Sequence, residues 1–172
     1  MKNMVVYSSL TGNTKAVAEA IQVAMPEGCE IYAVEKAPSS ETYELVAVGF
    51  WVDRGTADAN AKKYLSTLAN KKIILFGTLG AYPDSDHARD SMARAAMLLP
   101  QGNALLGTFI CQGRVDPKLT ERFKDLPAGH PHAPTPESIA RHQAASSHPN
   151  AEDFAKAKKV IAKIVAGIGK HF

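Results

Sequence analysis

Five apolar runs of strand length, separated by stretches of helical periodicity, constrain this chain more than any other feature. They are Met4 to Ser8, Glu30 to Val34, Leu45 to Phe50, Ile73 to Gly77 and Leu105 to Cys111. Their near-continuous Val, Ile, Leu and Phe content is the pattern of strands buried on both faces. Between them, Gly12 to Met25 sets Val17, Ala20, Ile21 and Ala24 on one stripe, and Ala57 to Ala69 does the same with Ala61, Tyr64, Leu65 and Leu68. Asp84 or Ser85 is placed to cap a third helix running to about Leu99, and Asp116-Pro117 opens a fourth with proline at its first position. Alternation of this kind predicts an α/β fold, an open parallel sheet with helices on both faces.

The 172 residues suit one domain spanning 1–172. Simple alternation breaks between Pro127 and Asn150, a segment holding five of the ten prolines and four of the six histidines. It reads as an insertion before the C-terminal helix, with its own short helix from Thr135-Pro136-Glu137 to about Ala145. The last helix, Glu152 to Gly169, carries Phe154, Ile161, Ile164, Val165 and Ile168 at helical spacing and should return to the sheet. Its lysines form the opposite, solvated face. A net charge of +3, with the basic residues spread along the chain, does not call for nucleic acid. No run approaches a membrane span, and the chain enters strand pattern at once, so a soluble cytoplasmic protein is expected. Cys29 and Cys111 form no C-x-x-C pair, and the histidines of the insertion lack zinc-site spacing, so no metal is expected.

Loops following the strands of a parallel sheet emerge at one edge, where ligands bind. The first of them, Ser8-Ser9-Leu10-Thr11-Gly12-Asn13-Thr14-Lys15, joins a strand to a helix start. Backbone N–H groups, the positive end of the helix dipole and clustered hydroxyls make it a phosphate site. The lysine-bearing P-loop and the three-glycine dinucleotide fingerprint are both missing, which excludes the usual nucleoside triphosphate and dinucleotide readings. The loop after strand three, Gly49 to Thr56, holds Trp51, the only tryptophan; the loop after strand four, Gly77 to Asp84, holds Tyr82. Two aromatics flanking a phosphate loop suit a planar ring, whose faces they would cover. Gly77 and Gly80 would let the backbone approach the ring edge.

Ser9-Leu10-Thr11-Gly12-Asn13-Thr14 resembles the Ser/Thr-x-Thr-Gly-Asn-Thr phosphate loop of flavodoxins, at the same place after the first strand. The resemblance covers Met1 to Asp125 and the terminal helix. It implies a flavodoxin-like, doubly wound five-stranded parallel sheet of order 2-1-3-4-5 with flavin mononucleotide, FMN, at its switch point. It also implies roles. Ser8, Ser9, Leu10, Thr11, Gly12, Asn13 and Thr14 would surround the phosphate. Phe50, Trp51 and Val52 would supply one wall of the ring site, and Thr78, Leu79, Gly80, Ala81, Tyr82 and Asp84 the other. Two features depart from the family pattern. Flavodoxins are strongly acidic whereas this chain is net positive, and Trp51 is followed by Val52 where flavodoxins usually have glycine.

The function implied is electron transfer between redox protein partners, with no catalytic acid or base required. Two alternatives share the fold. One is an NAD(P)H-dependent FMN or quinone reductase, with Arg54, Arg89 or Arg114 meeting a nicotinamide phosphate. The other is a subunit delivering electrons to a larger reductase of a tetrapyrrole or enoate, with the Pro127 to Asn150 segment as cap or docking surface.

Overall fold

In the computed structural model, which describes residues 1–168, the central strands owe their position to apolar content on both faces. The elements run β1 (Asn3–Tyr7), α1 (Asn13–Ala24), β2 (Glu30–Ala33), a single 3-10 turn, β3 (Leu45–Asp53), β4 (Thr56–Ala57), α2 (Ala59–Leu65), β5 (Lys72–Leu79), α3 (Asp86–Ala96), β6 (Ala104–Gln112), α4 (Pro117–Phe123), α5 (Pro136–Ala145) and α6 (Ala151–Ile168). The expected end of the last helix at Gly169 lies outside the described residues. Five parallel strands stand in the order β2-β1-β3-β5-β6. Counting only these five, that is the expected 2-1-3-4-5.

Alternation along each strand sorts the core into two layers. Val6, Val48, Phe50, Ile73 and Leu75 point to the face covered by Ala61 and Leu65 of α2 and Met92 and Ala95 of α3. Val5, Ala47, Ile74 and Phe76 point to the other, where Val17 and Ile21 of α1 and Ala157 and Ile161 of α6 pack. Burial on both faces holds for β1, β3 and β5. The edge strands are different: β2 is half-buried throughout, and β6 is exposed at its start and buried only at Cys111 and Gln112. An edge strand has a neighbour on one side only, and its apolar run says nothing about which side is open.

The strand-three loop is also corrected. β3 continues through Trp51 and Val52 to Asp53, with Trp51 in register with Thr78 of β5. It then folds back through Arg54 (φ 50°) and Gly55 (φ 77°) into the two-residue β4, which pairs antiparallel with β3. Two central residues at positive φ are what a tight two-residue hairpin requires. The helix after it begins two residues later than its apolar stripe suggests, capped by Asp58. The expected caps form: Ser85 accepts from Ala88 at 3.2 Å, Asp116 from Lys118 at 3.0 Å, and Thr135 from Ser138 at 3.0 Å.

Candidate functional site

The C-terminal ends of β1, β3, β5 and β6 open into one cavity of about 610 Å3. Its first wall is the loop after β1. Gly12, at φ 95°, turns the chain into α1, and no side chain of the N-cap closes that helix start. The Ser9 Oγ instead accepts from the amides of Gly12 and Lys15, each at 3.2 Å. An oxygen therefore already sits where the helix-start amides converge, so the chemistry of this concavity is that of an anion site.

The hydroxyls of the loop divide into two sets. Ser8 donates to the Asp58 carboxylate at 2.6 Å, and Thr14 shares a hydrogen bond of 2.9 Å with Thr78 of β5. Thr14 and Thr78 belong to the floor, Ser8 and Asp58 lie beneath it, and all four are at most 3 % exposed. Thr11 is exposed and unburdened by the floor, while Asn13 donates to the Arg114 carbonyl at 2.8 Å, tying the loop to the β6–α4 connection.

Trp51 and Val52, at the end of β3, form the second wall, and the end of β5 with the following turn forms the third. Tyr82 is 43 % exposed at the rim. The carbonyls of Leu79 and Gly80 are held by the Gly113 amide at 2.8 Å and the Gln112 Nε2 at 3.1 Å, which stiffens the segment facing the cavity.

Of the candidate residues, Ser9, Leu10, Thr11, Asn13, Thr14, Trp51, Val52, Thr78, Leu79, Gly80, Ala81 and Tyr82 line this cavity. Four do not. Gly12 lines a smaller depression of about 320 Å3 beside the loop. Ser8 lies beneath, bound to Asp58. Phe50 is fully buried in the α2–α3 layer, because its side chain points opposite to that of Trp51. Asp84 is exposed outside the cavity, its carbonyl accepting from Arg89 at 2.8 Å. Gly77 accommodates Phe50, whose ring lies 3.0 Å from where a Cβ would stand, rather than a ligand.

The fourth wall includes part of the Pro127 to Asn150 segment, considered from the sequence as a cap, but its lining residues were not named there. Val115 and Leu119 come from the β6–α4 region, Ser85 and His87 from the start of α3, and Arg141 and His142 from α5 in the insertion. Burial, and then the Arg141 guanidinium beside it, holds His142 below its ordinary value and favours the neutral imidazole. The helix-start signals of α3 and α4 were available; that α5 folds back over the sheet edge had no local signal. Of the other histidines of the insertion, His132 stacks on Phe123 at 4.9 Å and His148 shares a hydrogen bond of 2.6 Å with the Asp153 carboxylate. Among the described residues no group of three or more His, Cys, Asp or Glu is placed to hold a metal, and no helix is long and apolar enough to cross a membrane.

Comparison with known proteins agrees with this architecture. A flavodoxin-like domain-containing protein, BilS, of Clostridioides difficile (strain CD3) is 35 % identical over 96 % of this chain and 100 % of its own length. The crystal structure of oxidised flavodoxin 2 from Bacillus cereus superposes with a TM-score of 0.60 at 15 % identity, covering 97 % of this chain and 99 % of that one. A flavoprotein from Lactobacillus acidophilus NCFM, solved in complex with FMN, gives 0.52 at 14 % identity over 63 % of this chain and 92 % of its own. The flavodoxin domain profile matches residues 4–162, and the chain belongs to the flavodoxin family.

Proposed function

We propose that this protein binds FMN in the cavity at the C-terminal edge of the sheet and carries electrons between redox protein partners in the cytoplasm. One observation carries the reading: an anion-type helix start and two aromatics, Trp51 near the end of β3 and Tyr82 in the turn after β5, open into the same cavity. A phosphate joined to a planar ring is the ligand that uses all three. Family membership supports it, as does the FMN bound by the Lactobacillus flavoprotein of similar fold.

FMN, when bound, supplies redox chemistry in steps of one or two electrons. The chain's own residues supply the rest. The amides at the start of α1 and the Thr11 hydroxyl would hold the phosphate, Trp51 and Tyr82 would cover the ring and exclude water, and the 79–82 backbone would meet its edge. Leu119, Arg141 and His142 close the remaining side, which makes the insertion part of the enclosure. A carrier of this kind needs no acid or base at the ring.

Titration with FMN tests the reading, because quenching of the single tryptophan reports binding at Trp51 directly. Saturation at one FMN per chain and a yellow protein are expected. A colourless protein with unquenched fluorescence at excess FMN overturns it. Rapid NADPH oxidation by the holoprotein alone would replace the carrier with a reductase; slow oxidation without a partner reductase is expected.

A further inference from the structure

Beneath the cavity floor lies a carboxylate to which the binding of FMN, as described, assigns no part. Asp58 is 2 % exposed, and both its oxygens face donors. Oδ2 accepts from the Ser8 hydroxyl at 2.6 Å and the Ala61 amide at 3.3 Å, and Oδ1 accepts from the Trp51 amide at 3.3 Å. The Asp58 amide in turn donates to the Trp51 carbonyl at 3.1 Å. An acceptor-only set of this kind is the arrangement of an ionised carboxylate. Among the described residues no Lys, Arg or His forms an ion pair with it.

Capping α2 would need only the bond from Ala61. The bonds to Ser8 and Trp51 do something further, joining the residue that opens the phosphate loop to the residue that forms the aromatic wall. The Ser8 partner lies 50 positions away in sequence. We propose that Asp58 is a positioning residue for the cofactor: it clamps Trp51 to the phosphate loop, and its buried charge holds down the reduction potential of FMN bound above it. Electrons added to the ring meet a fixed negative charge that dipoles alone offset, in a setting where salt and water screen it less than at the surface. The proposal rests on the FMN reading given above.

Two variants separate charge from clamp. D58N keeps the shape and an equally good helix cap but removes the charge. S8A removes the shortest bond to the carboxylate and leaves the charge in place. FMN affinity, followed by Trp51 fluorescence, is expected to weaken roughly tenfold in D58N and a few-fold in S8A, the loss of hydrogen bonds to a charged group. The midpoint potential, measured by spectroelectrochemistry, is expected to rise in D58N and not in S8A. An unchanged potential in D58N, or an equal rise in both variants, overturns the proposal. If D58N does not fold, D58S, which also caps the helix without the charge, takes its place: an unchanged potential there, or unchanged FMN affinity in S8A, overturns the proposal. Failure of the wild-type chain to bind FMN is seen before any variant is made, and it removes both readings together.

Discussion

Two phenylalanines and two glycines are matched across β3 and β5, and Gly49→Ala tests that match. In register, Gly49 faces Phe76 and Phe50 faces Gly77, so each ring folds over the bare backbone of its partner on opposite faces of the sheet. A Cβ on Gly49 would stand 2.2 Å from Phe76 Cε2 and 2.3 Å from Cζ. Carbon atoms rest at about 3.5–4.0 Å, so the overlap exceeds roughly 1 Å. Phe76 is fully buried among Val5, Ile74 and the α1–α6 layer and has no open direction in which to swing. Overpacking of this kind costs about 3 kcal/mol, the upper part of the usual range. Removing a strand glycine returns roughly 0.5–1 kcal/mol, which leaves a net loss of about 2 kcal/mol. The same atom on Gly77 would stand 3.0 Å from Phe50, a far smaller overlap. Gly77→Ala is therefore expected within about 1 kcal/mol of wild type. In thermal unfolding followed by circular dichroism, G49A should lower Tm by about 4–8 °C and G77A by no more than about 4 °C. Trimming the ring should rescue the first: in the G49A/F76L cycle a favourable coupling of about 2 kcal/mol is expected. A G49A loss no greater than that of G77A, or strict additivity with F76L, would refute the reasoning.

Both thiols should be unreactive while the protein is folded. Burial, and then Glu30, pushes Cys29 up to about 11, and burial, and then Asp153, pushes Cys111 up to about 12. A thiol reagent at pH 8 is expected to label neither until urea is added, and rapid labelling of the native chain would contradict this. His142 sets a pH dependence of stability. Its folded value is depressed, so the unfolded chain binds more protons between that value and the ordinary one of about 6.5. Its contribution is full above the unfolded value and lost as pH falls through the folded one. Urea stability should thus decline below about pH 6.5 and decline less steeply in H142Q, whereas an equal slope in the variant would exclude His142 as the source.

Features set within a few residues were legible in the chain. Ser85, Asp116-Pro117 and Thr135-Pro136 announce helix starts because a cap is an interaction between a side chain and an amide two or three positions on. The Ser9 to Thr14 loop announced an anion site for the same reason: its hydroxyls and its helix start are neighbours in sequence. The five apolar runs were enough for the sheet and its order through the family resemblance. Even the placement of Phe50 and Trp51 on opposite faces follows from strand alternation, once β3 is known to continue that far. Its continuation depended on pairing with β5, which brings Trp51 beside Thr78 and is invisible in the local pattern.

What the fold alone decided lies at greater separation. Asn13 meets the Arg114 carbonyl across 101 positions, and Asp58 joins Ser8 to Trp51 from the start of a helix. Arg141 and His142 reach the cavity because α5 folds back to the sheet edge, its end held by Arg114 donating to the carbonyls of Ser146 and His148. Periodicity records which side of an element is apolar but not which other element will cover it. The sequence by itself thus determined the strands, the helix starts and the anion-binding loop, each an outcome of short-range hydrogen bonding and burial. The walls that turn the loop into an enclosed site were decided by sheet register and helix packing, which bring together residues the chain keeps apart.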